Sequence, residues 1–169
     1  MNLNYDNVHL YLYIGVTIME VVLVYTSMTG NTEEIAHILK DKVEAFNLSV
    51  KKFHVEFDDI MALDLKNYDA ILFGTYTWGD ADLPFELEDF YEDLADEDLT
   101  GKVVGLFGSC DSYYEFYGAA IEKMAEQFRA IGAEVIDPLL KIELAPEPED
   151  DEKIDQFVEE FVKQVNNTK

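Results

Sequence analysis

The sequence has little cysteine and little positive charge. Cys110 is its single cysteine, so no disulfide forms within the chain, and its three histidines are too scattered for a structural metal site. Lysine and arginine number 12 against 36 aspartates and glutamates, which gives a net charge of −24. Because phosphate groups repel such a protein, the charge disfavours nucleic acid and anionic membranes and favours partners with basic surfaces. Solubility or adaptation to salt is the alternative interpretation of the charge.

The first eighteen residues contain no lysine or arginine, so they lack the basic start of a signal peptide. Their apolar stretch, Leu10 to Ile18, is interrupted and too short to span a bilayer. Met19 stands immediately before a strand-like run, which favours a native start there, with residues 1–18 as an upstream extension. An added edge strand or partner-binding arm is the alternative. One domain is expected over residues 19–169. A cytoplasmic location is also expected, since a lone cysteine fits a reducing compartment.

Apolar β-rich runs alternate with helical patterns along the rest of the chain. The runs predict strands at residues 21–26, 49–55, 69–76, 102–109 and 133–142, the last bent or bulged at Pro138. Helices are predicted at residues 32–46, 84–97, 117–131 and 150–166. This order is typical of an α/β fold in which a doubly wound, five-stranded parallel sheet forms the middle of three layers.

Two of the predicted helices carry clear apolar stripes. The first places five side chains on one face: Ile35, Ile38, Leu39, Val43 and Phe46. The last places six on one face: Ile154, Phe157, Val158, Phe161, Val162 and Val165. Both stripes are expected to pack against the sheet.

In doubly wound sheets, ligands bind beyond the carboxyl ends of the strands, which here means residues 26–32 (the first loop), 74–83 (the second loop) and 108–118 (the third loop). The first loop, "TSMTGNT", is rich in hydroxyl groups, has no cation and precedes a predicted helix. Free N–H groups at a helix start suit a phosphate, although neither a Walker A motif nor the three-glycine dinucleotide turn is present. Ordinary helix capping, with Asn31 and Glu34 as a capping box, is the alternative.

The other two loops are aromatic. Trp78, the only tryptophan, follows the third strand beside Gly79, which favours a platform for a ligand over a cover for a helix end. The third loop concentrates four aromatic residues, some of which must pack against the next helix: Tyr113, Tyr114, Phe116 and Tyr117. Together, the three loops suit a flat aromatic ring that carries a monophosphate tail bound by neutral donors.

These motifs resemble those of short-chain flavodoxins over about residues 19–166. "YTSMTGNTEEIA" is similar to the family's FMN-phosphate signature, and "TYTWGDADLP" and "GSCDSYYEFYGAA" are similar to its two isoalloxazine loops. The resemblance implies a flavodoxin-like fold and a low-potential one-electron carrier with non-covalent FMN. It also implies basic-surfaced partners, namely an NAD(P)H-dependent flavodoxin reductase and acceptor oxidoreductases, and a monomer is expected. An FMN-dependent NAD(P)H:quinone reductase-type enzyme on the same fold is the alternative.

The resemblance also implies the site residues. Those expected at the phosphate are Ser27, Met28 (through its backbone), Thr29, Gly30, Asn31 and Thr32. Trp78 is expected on one flavin face and Tyr114 on the other, with the neighbouring Tyr113 as the alternative. The remaining cofactor-binding residues are expected to be Thr75, Tyr76, Thr77, Gly79, Asp80, Ser109, Cys110, Asp111, Phe116 and Tyr117.

Redox tuning is predicted to depend on Gly79 and Asp80. The Gly79 peptide is expected to turn its carbonyl toward the ring nitrogen that is protonated after one-electron reduction, because glycine tolerates positive φ. Eight acids and no base at residues 86–98, and five more acids at 147–152, should make the second potential strongly negative. Cys110 stands where the family commonly has glycine, so strain is expected if that position needs a special backbone angle.

Overall fold

The computed structural model of the protein describes residues 18–79 and 81–168. Residues 1–17 of the predicted N-terminal extension, Asp80 and Lys169 lie outside the described residues. The first strand begins directly after Met19, whose carbonyl accepts a hydrogen bond from Ser49 N–H at 3.0 Å.

In the part of the chain that the structure describes, six strands form one parallel sheet: β1 (Glu20–Tyr25), β2 (Ser49–His54), β3 (Ala70–Gly74), β4 (Val103–Cys110), β5 (Glu134–Val135) and β6 (Leu140–Glu143). Their order across the sheet is β2-β1-β3-β4-β5, and β6 also pairs with β4. β5 pairs with the start of β4 and β6 with its end, so these two short strands share the fifth position. The sheet is parallel at every pairing among the described residues.

The fifth strand, predicted at 133–142 with a bend or bulge at Pro138, is interrupted around that proline and divided into β5 and β6. Four residues, 136–139, separate β5 from β6 and include the cis Asp137–Pro138 peptide. Proline has no N–H to donate to β4, so the ladder of hydrogen bonds stops there and resumes at Leu140. The break is short, and no long loop is inserted between the two halves.

Four α-helices of the described residues flank the sheet: α1 (Asn31–Glu44), α2 (Glu88–Leu94), α3 (Ala119–Ala130) and α4 (Asp151–Asn167). Short 3₁₀ turns occur at Ala62–Asn67, Phe85–Leu87 and Pro148–Asp150. One core contains Val21 and Leu23 with the buried faces of α1 and α4, and the other contains Val22 and Val24 with those of α2 and α3. The alternation along β1 therefore places helices on both faces, which confirms the three-layer fold.

The predicted helix at 84–97 is wrong in its extent, because a 3₁₀ turn precedes a seven-residue α2 that ends at Leu94. The next acids are Asp96, Glu97 and Asp98. In a longer helix they would be repelled by the partial negative charge at its carboxyl end, which disfavours the extension. The remaining predicted helices and strands end within two residues of the observed bounds.

The apolar stripe of α4 is confirmed, since all six predicted side chains are buried. The stripe of α1 is confirmed except at its end. The helix stops at Glu44, and Phe46 lies in the following turn with 47% of its side chain exposed. Within the described residues, no helix has the length and hydropathy needed to cross a bilayer.

Candidate functional site

A cavity of about 480 Å³ lies where the carboxyl ends of β1, β3 and β4 meet. Parallel pairing brings the first, second and third loops to this edge, although they are far apart in the sequence. Its lining includes fourteen of the predicted residues: Ser27, Met28, Thr29, Asn31, Thr32, Tyr76, Thr77, Trp78, Gly79, Ser109, Cys110, Asp111, Tyr114 and Phe116.

Three predicted residues are not part of the lining. Gly30 caps α1, Thr75 is fully buried at the start of the second loop, directly after β3, and Tyr117 precedes α3. Asp80 lies outside the described residues.

Two lining residues, Gly118 and Leu144, were missed by sequence reasoning. Gly118 is the N-cap of α3, and Leu144 follows β6 at the carboxyl edge of the sheet. The rule that ligands bind beyond strand ends points to Leu144 once the end of β6 is known. The predicted strand ended at residue 142, one residue before the end of β6, and the segment that follows it was not among the three predicted loops.

The first loop forms a tight turn into α1. Gly30 is the N-cap with φ of 91°, and its carbonyl accepts a hydrogen bond from Glu34 N–H at 2.9 Å. Ser27 Oγ accepts a second one from Glu33 N–H at 3.2 Å. The predicted Asn31–Glu34 capping box is therefore wrong, because Asn31 is already the first helical residue, one position too late to cap. The Asn31 side chain lines the cavity instead.

The cavity lining is almost free of formal charge. Asp111 is its one carboxylate within the described part of the chain, and neither lysine nor arginine lines it there. Hydroxyl and amide groups of the first loop surround the amino end of α1, where unpaired N–H groups and the helix dipole attract an anion. This end of the cavity can therefore bind a phosphate through neutral donors.

The second loop is closed by two backbone hydrogen bonds between Trp78 and Asp82, at 3.0 and 2.9 Å. Within this turn, Gly79 and Ala81 both have positive φ, of 53° and 92°. Thr77 Oγ1 accepts a hydrogen bond from Ala120 N–H at 3.2 Å, which joins the loop to α3. The turn presents Trp78 at the cavity with 52% of its side chain exposed, where the indole is free to stack on a planar ligand.

The third loop distinguishes two neighbouring tyrosines. Tyr114 lines the cavity, whereas Tyr113 is 88% exposed and contacts Tyr114 edge to face, with ring centroids 5.5 Å apart. Glu143, at the end of β6, accepts hydrogen bonds from the N–H and the hydroxyl of Ser112, at 3.0 and 2.9 Å. The last strand thereby anchors the loop that carries Tyr114, a contact that sequence reasoning missed.

Cys110 is the last residue of β4 and does not have positive φ. The expected strain at this position is therefore absent. Its side chain is buried, and burial raises the pKa of the thiol to about 11. The neutral thiol thus predominates at pH 7, which disfavours a nucleophilic role because the thiolate is the reactive form. No cluster of three or more metal-binding side chains occurs in residues 18–79 and 81–168.

Comparison with known proteins identifies the family. The model of the flavodoxin family matches residues 23–157. Probable flavodoxin 1 of Bacillus subtilis (strain 168) is 43% identical over 130 residues, which are 77% of this chain and 81% of the relative. Oxidised flavodoxin 1 from Bacillus cereus has a TM-score of 0.81 at 43% identity, covering 85% of this chain and 97% of that one.

A short-chain flavodoxin associated with a bacterial microcompartment gives a TM-score of 0.82 at 34% identity, and the match covers 88% of this chain and 99% of that one. The family match spans most of the chain, and these relatives agree with it in fold and in length. The chain therefore belongs to the flavodoxin family of FMN-binding electron-transfer proteins, in its short-chain form.

Proposed function

We propose that this chain is a low-potential one-electron carrier that holds FMN non-covalently in the cavity and passes electrons from an NAD(P)H-dependent reductase to acceptor oxidoreductases. One observation carries the proposal: a hydroxyl-rich helix start and two exposed aromatic side chains border the same cavity of about 480 Å³. That volume is within the usual range for cofactor sites. Bound FMN supplies reversible one-electron chemistry, and the protein sets how tightly each charge state is held.

The first loop would hold the phosphate. Ser27, Thr29 and Thr32 offer hydroxyl groups and Asn31 offers an amide, all lining the cavity at the start of α1. At Gly30 a Cβ atom would meet nothing within 4 Å, so the space above this residue is open to a ligand. The backbone N–H groups of the turn, including that of Met28, complete the donor set proposed for the phosphate.

The second and third loops would hold the ring system. Trp78 is assigned to one face and Tyr114 to the other, where both exclude water and leave little room for a nicotinamide to stack. The polar groups assigned to the ring edges are those of Thr77, Gly79, Asp80, Ser109, Cys110 and Asp111. Tyr76 and Phe116 extend the lining, Gly30 keeps the turn at the phosphate open, and the buried Thr75 would support the second loop. Tyr117 completes the proposed set beside α3.

Negative charge would set the low potential and the choice of partner. A carboxylate about 10 Å from the ring disfavours an added negative charge by roughly 1–2 kcal/mol at an effective dielectric constant near 20. The acidic run at 86–98 surrounds α2, next to the second loop, and the whole chain carries −24. We accordingly assign basic-surfaced redox partners, a cytoplasmic location and a monomeric state to the protein.

Stepwise anaerobic reduction of the FMN-loaded protein, followed by visible absorption, tests the proposal. Two separate one-electron steps are expected, with the second at strongly negative potential. Complete two-electron reduction by NADH or NADPH alone would instead support a quinone reductase-type enzyme. Failure of the purified protein to bind FMN would overturn the assignment of the cavity.

A further inference from the structure

We propose that Glu86 is a positioning residue that couples the phosphate end of the cavity to its ring end. The inference rests on the proposed function, since it concerns how the loops that would bind FMN are held together. Glu86 itself does not line the cavity. It lies in the 3₁₀ turn that follows the second loop.

One oxygen atom of Glu86 links two loops. Glu86 Oε1 accepts a hydrogen bond from Thr26 Oγ1 at 2.5 Å and another from the Tyr76 hydroxyl at 3.0 Å. Thr26 is the first residue of the first loop, next to Ser27, and Tyr76 belongs to the second loop, two positions before Trp78. If either loop moves, its hydrogen bond to Glu86 Oε1 changes. The same oxygen atom also accepts the hydrogen bond from the other loop, so the two loops are coupled through it.

The carboxylate is held by a rigid part of the scaffold. Leu83 and Leu87, on either side of Glu86, are 5% and 0% exposed and belong to the core between the sheet and α2. On the other side of the link, Thr26 is fully buried, and its N–H donates to Gly74 O at 3.0 Å. The backbone at Glu86 is thus held by its buried neighbours. Its donor, Thr26, is held by the backbone hydrogen bond to the end of β3.

The charge of Glu86 strengthens the link. Burial alone would raise the pKa of this carboxyl, but the hydrogen bond from Thr26, its own backbone amide and the hydrogen bond from Tyr76 lower the pKa overall. The group is therefore ionised at neutral pH. Hydrogen bonds to an ionised acceptor are stronger than those between neutral groups, so both loops are tied to the same point by charge-assisted bonds.

The coupling predicts that occupancy of the first loop alters the surroundings of Trp78. This side chain is the only tryptophan of the chain, so its fluorescence reports on the second loop alone. Inorganic phosphate added to the flavin-free protein is expected to change Trp78 emission. In Glu86→Gln the change should shrink severalfold, because the amide is a weaker acceptor and no longer carries charge. Glu88→Gln is the matched control: it removes the same charge from an exposed neighbour.

Affinity for FMN gives a second readout. Glu86→Gln should weaken binding roughly tenfold, the effect of losing about one hydrogen bond to a charged group, while Glu88→Gln should leave it nearly unchanged. Thr26→Val and Tyr76→Phe each remove one donor and should weaken binding in the wild-type background. In the Glu86→Gln background these two substitutions should have much smaller effects, because the bond each removes is already weakened.

The outcomes separate the two proposals. The coupling would be overturned if the losses in FMN affinity caused by Glu86→Gln and by each donor substitution were additive. It would also be overturned if Glu86→Gln and Glu88→Gln had the same effects. A wild-type protein that binds FMN but shows no response of Trp78 to phosphate would also overturn it. If Glu86→Gln fails to fold, Thr26→Val and Tyr76→Phe take its place. A change of Trp78 emission on addition of phosphate that equals the wild-type change in both variants would overturn the coupling. A wild-type protein that does not bind FMN would overturn the proposed function instead.

Discussion

Single residues of the first loop supply the neutral donors of the proposed phosphate site. Ser27 Oγ accepts a hydrogen bond from Glu33 N–H in the first turn of α1, and Thr29 and Asn31 line the cavity beside it. Neutral donors at a helix start bind an anion without adding the positive charge that a lysine would bring. Since the first loop contains no cation, it would not offset the negative charge of the protein near the proposed ring site, in agreement with the low potential that we propose.

Gly79→Ala tests the residue assigned to redox tuning. Gly79 has φ of 53°, and an alanine there is strained whichever way the peptide turns. If the Gly79 carbonyl no longer turns to accept a hydrogen bond from the protonated ring nitrogen, about one hydrogen bond is lost, roughly 0.5–1.5 kcal/mol. Potentiometric titration of the FMN-loaded variant should show the two one-electron potentials brought closer by a few tens of millivolts.

Gly101→Ala is the control for this substitution. Gly101 also has positive φ, 79°, with nothing within 4 Å of an added Cβ, but it precedes β4 at the edge of the sheet opposite the cavity. Both variants should lose similar stability, and Gly101→Ala should leave the potentials unchanged. An unaltered separation of potentials in Gly79→Ala would contradict the tuning role.

At the scale of elements, α4 shows how a helix with an acidic surface is held to the sheet. Its buried stripe includes Phe161, which is fully inaccessible to solvent and packs in the core with β1 and α1. We expect Phe161→Ala to lower the free energy of unfolding by about 3–5 kcal/mol, measured by urea denaturation. Phe46→Ala, at the half-exposed position after α1, should lower the free energy of unfolding far less. Equal losses in the two variants would contradict the difference in burial between Phe161 and Phe46.

The contact between β1 and α1 predicts a pH dependence of stability. The Tyr25 hydroxyl donates to Glu33 Oε1 at 2.7 Å, and this hydrogen bond lowers the pKa of Glu33. Since the folded pKa lies below the unfolded one, the contribution is complete at neutral pH and is lost as pH falls through the folded pKa. Tyr25→Phe should therefore destabilise the protein by about 0.5–1 kcal/mol at pH 7, because Glu33 is partly solvated.

The difference in unfolding free energy between wild type and Tyr25→Phe, measured by urea denaturation at a series of pH values, should narrow as pH falls through the lowered folded pKa of Glu33. Tyr113→Phe, which alters a tyrosine exposed to solvent, should show no such dependence. A difference that stays constant from neutral to acidic pH would contradict the role given to the Glu33 carboxylate.

At the scale of the whole molecule, the net charge of −24 predicts salt-dependent electron transfer. The rate at which the reduced protein reacts with a basic c-type cytochrome should fall roughly tenfold or more between low and about 0.5 M ionic strength, because salt screens the attraction. Stopped-flow absorption measures this rate. Ferricyanide, an anionic acceptor, should react faster as salt increases, and a salt-independent rate with the cytochrome would contradict electrostatic steering.

The sequence by itself determined the order of strands and helices and the position of the three loops. Buried strands such as "DAILFGTY" and the six-residue stripe of α4 are local patterns, read over a few neighbouring positions. The loops follow from the same patterns, because the carboxyl ends of parallel strands meet at one edge. Their chemistry was therefore predictable from residue types, and fourteen of the predicted residues line the cavity.

Tertiary structure alone decided which groups meet. Tyr114 lines the cavity and its neighbour Tyr113 does not, and the loop that carries both is anchored where Ser112 donates to Glu143, 31 positions further along the chain. The link from Glu86 to Thr26 joins residues 60 positions apart, and the break in the fifth strand appears only against the ladder of β4. Hydrogen bonds between residues far apart in the sequence produce no periodic pattern of residue types. Each of them depends on how the helices and strands pack, so it cannot be predicted from neighbouring positions.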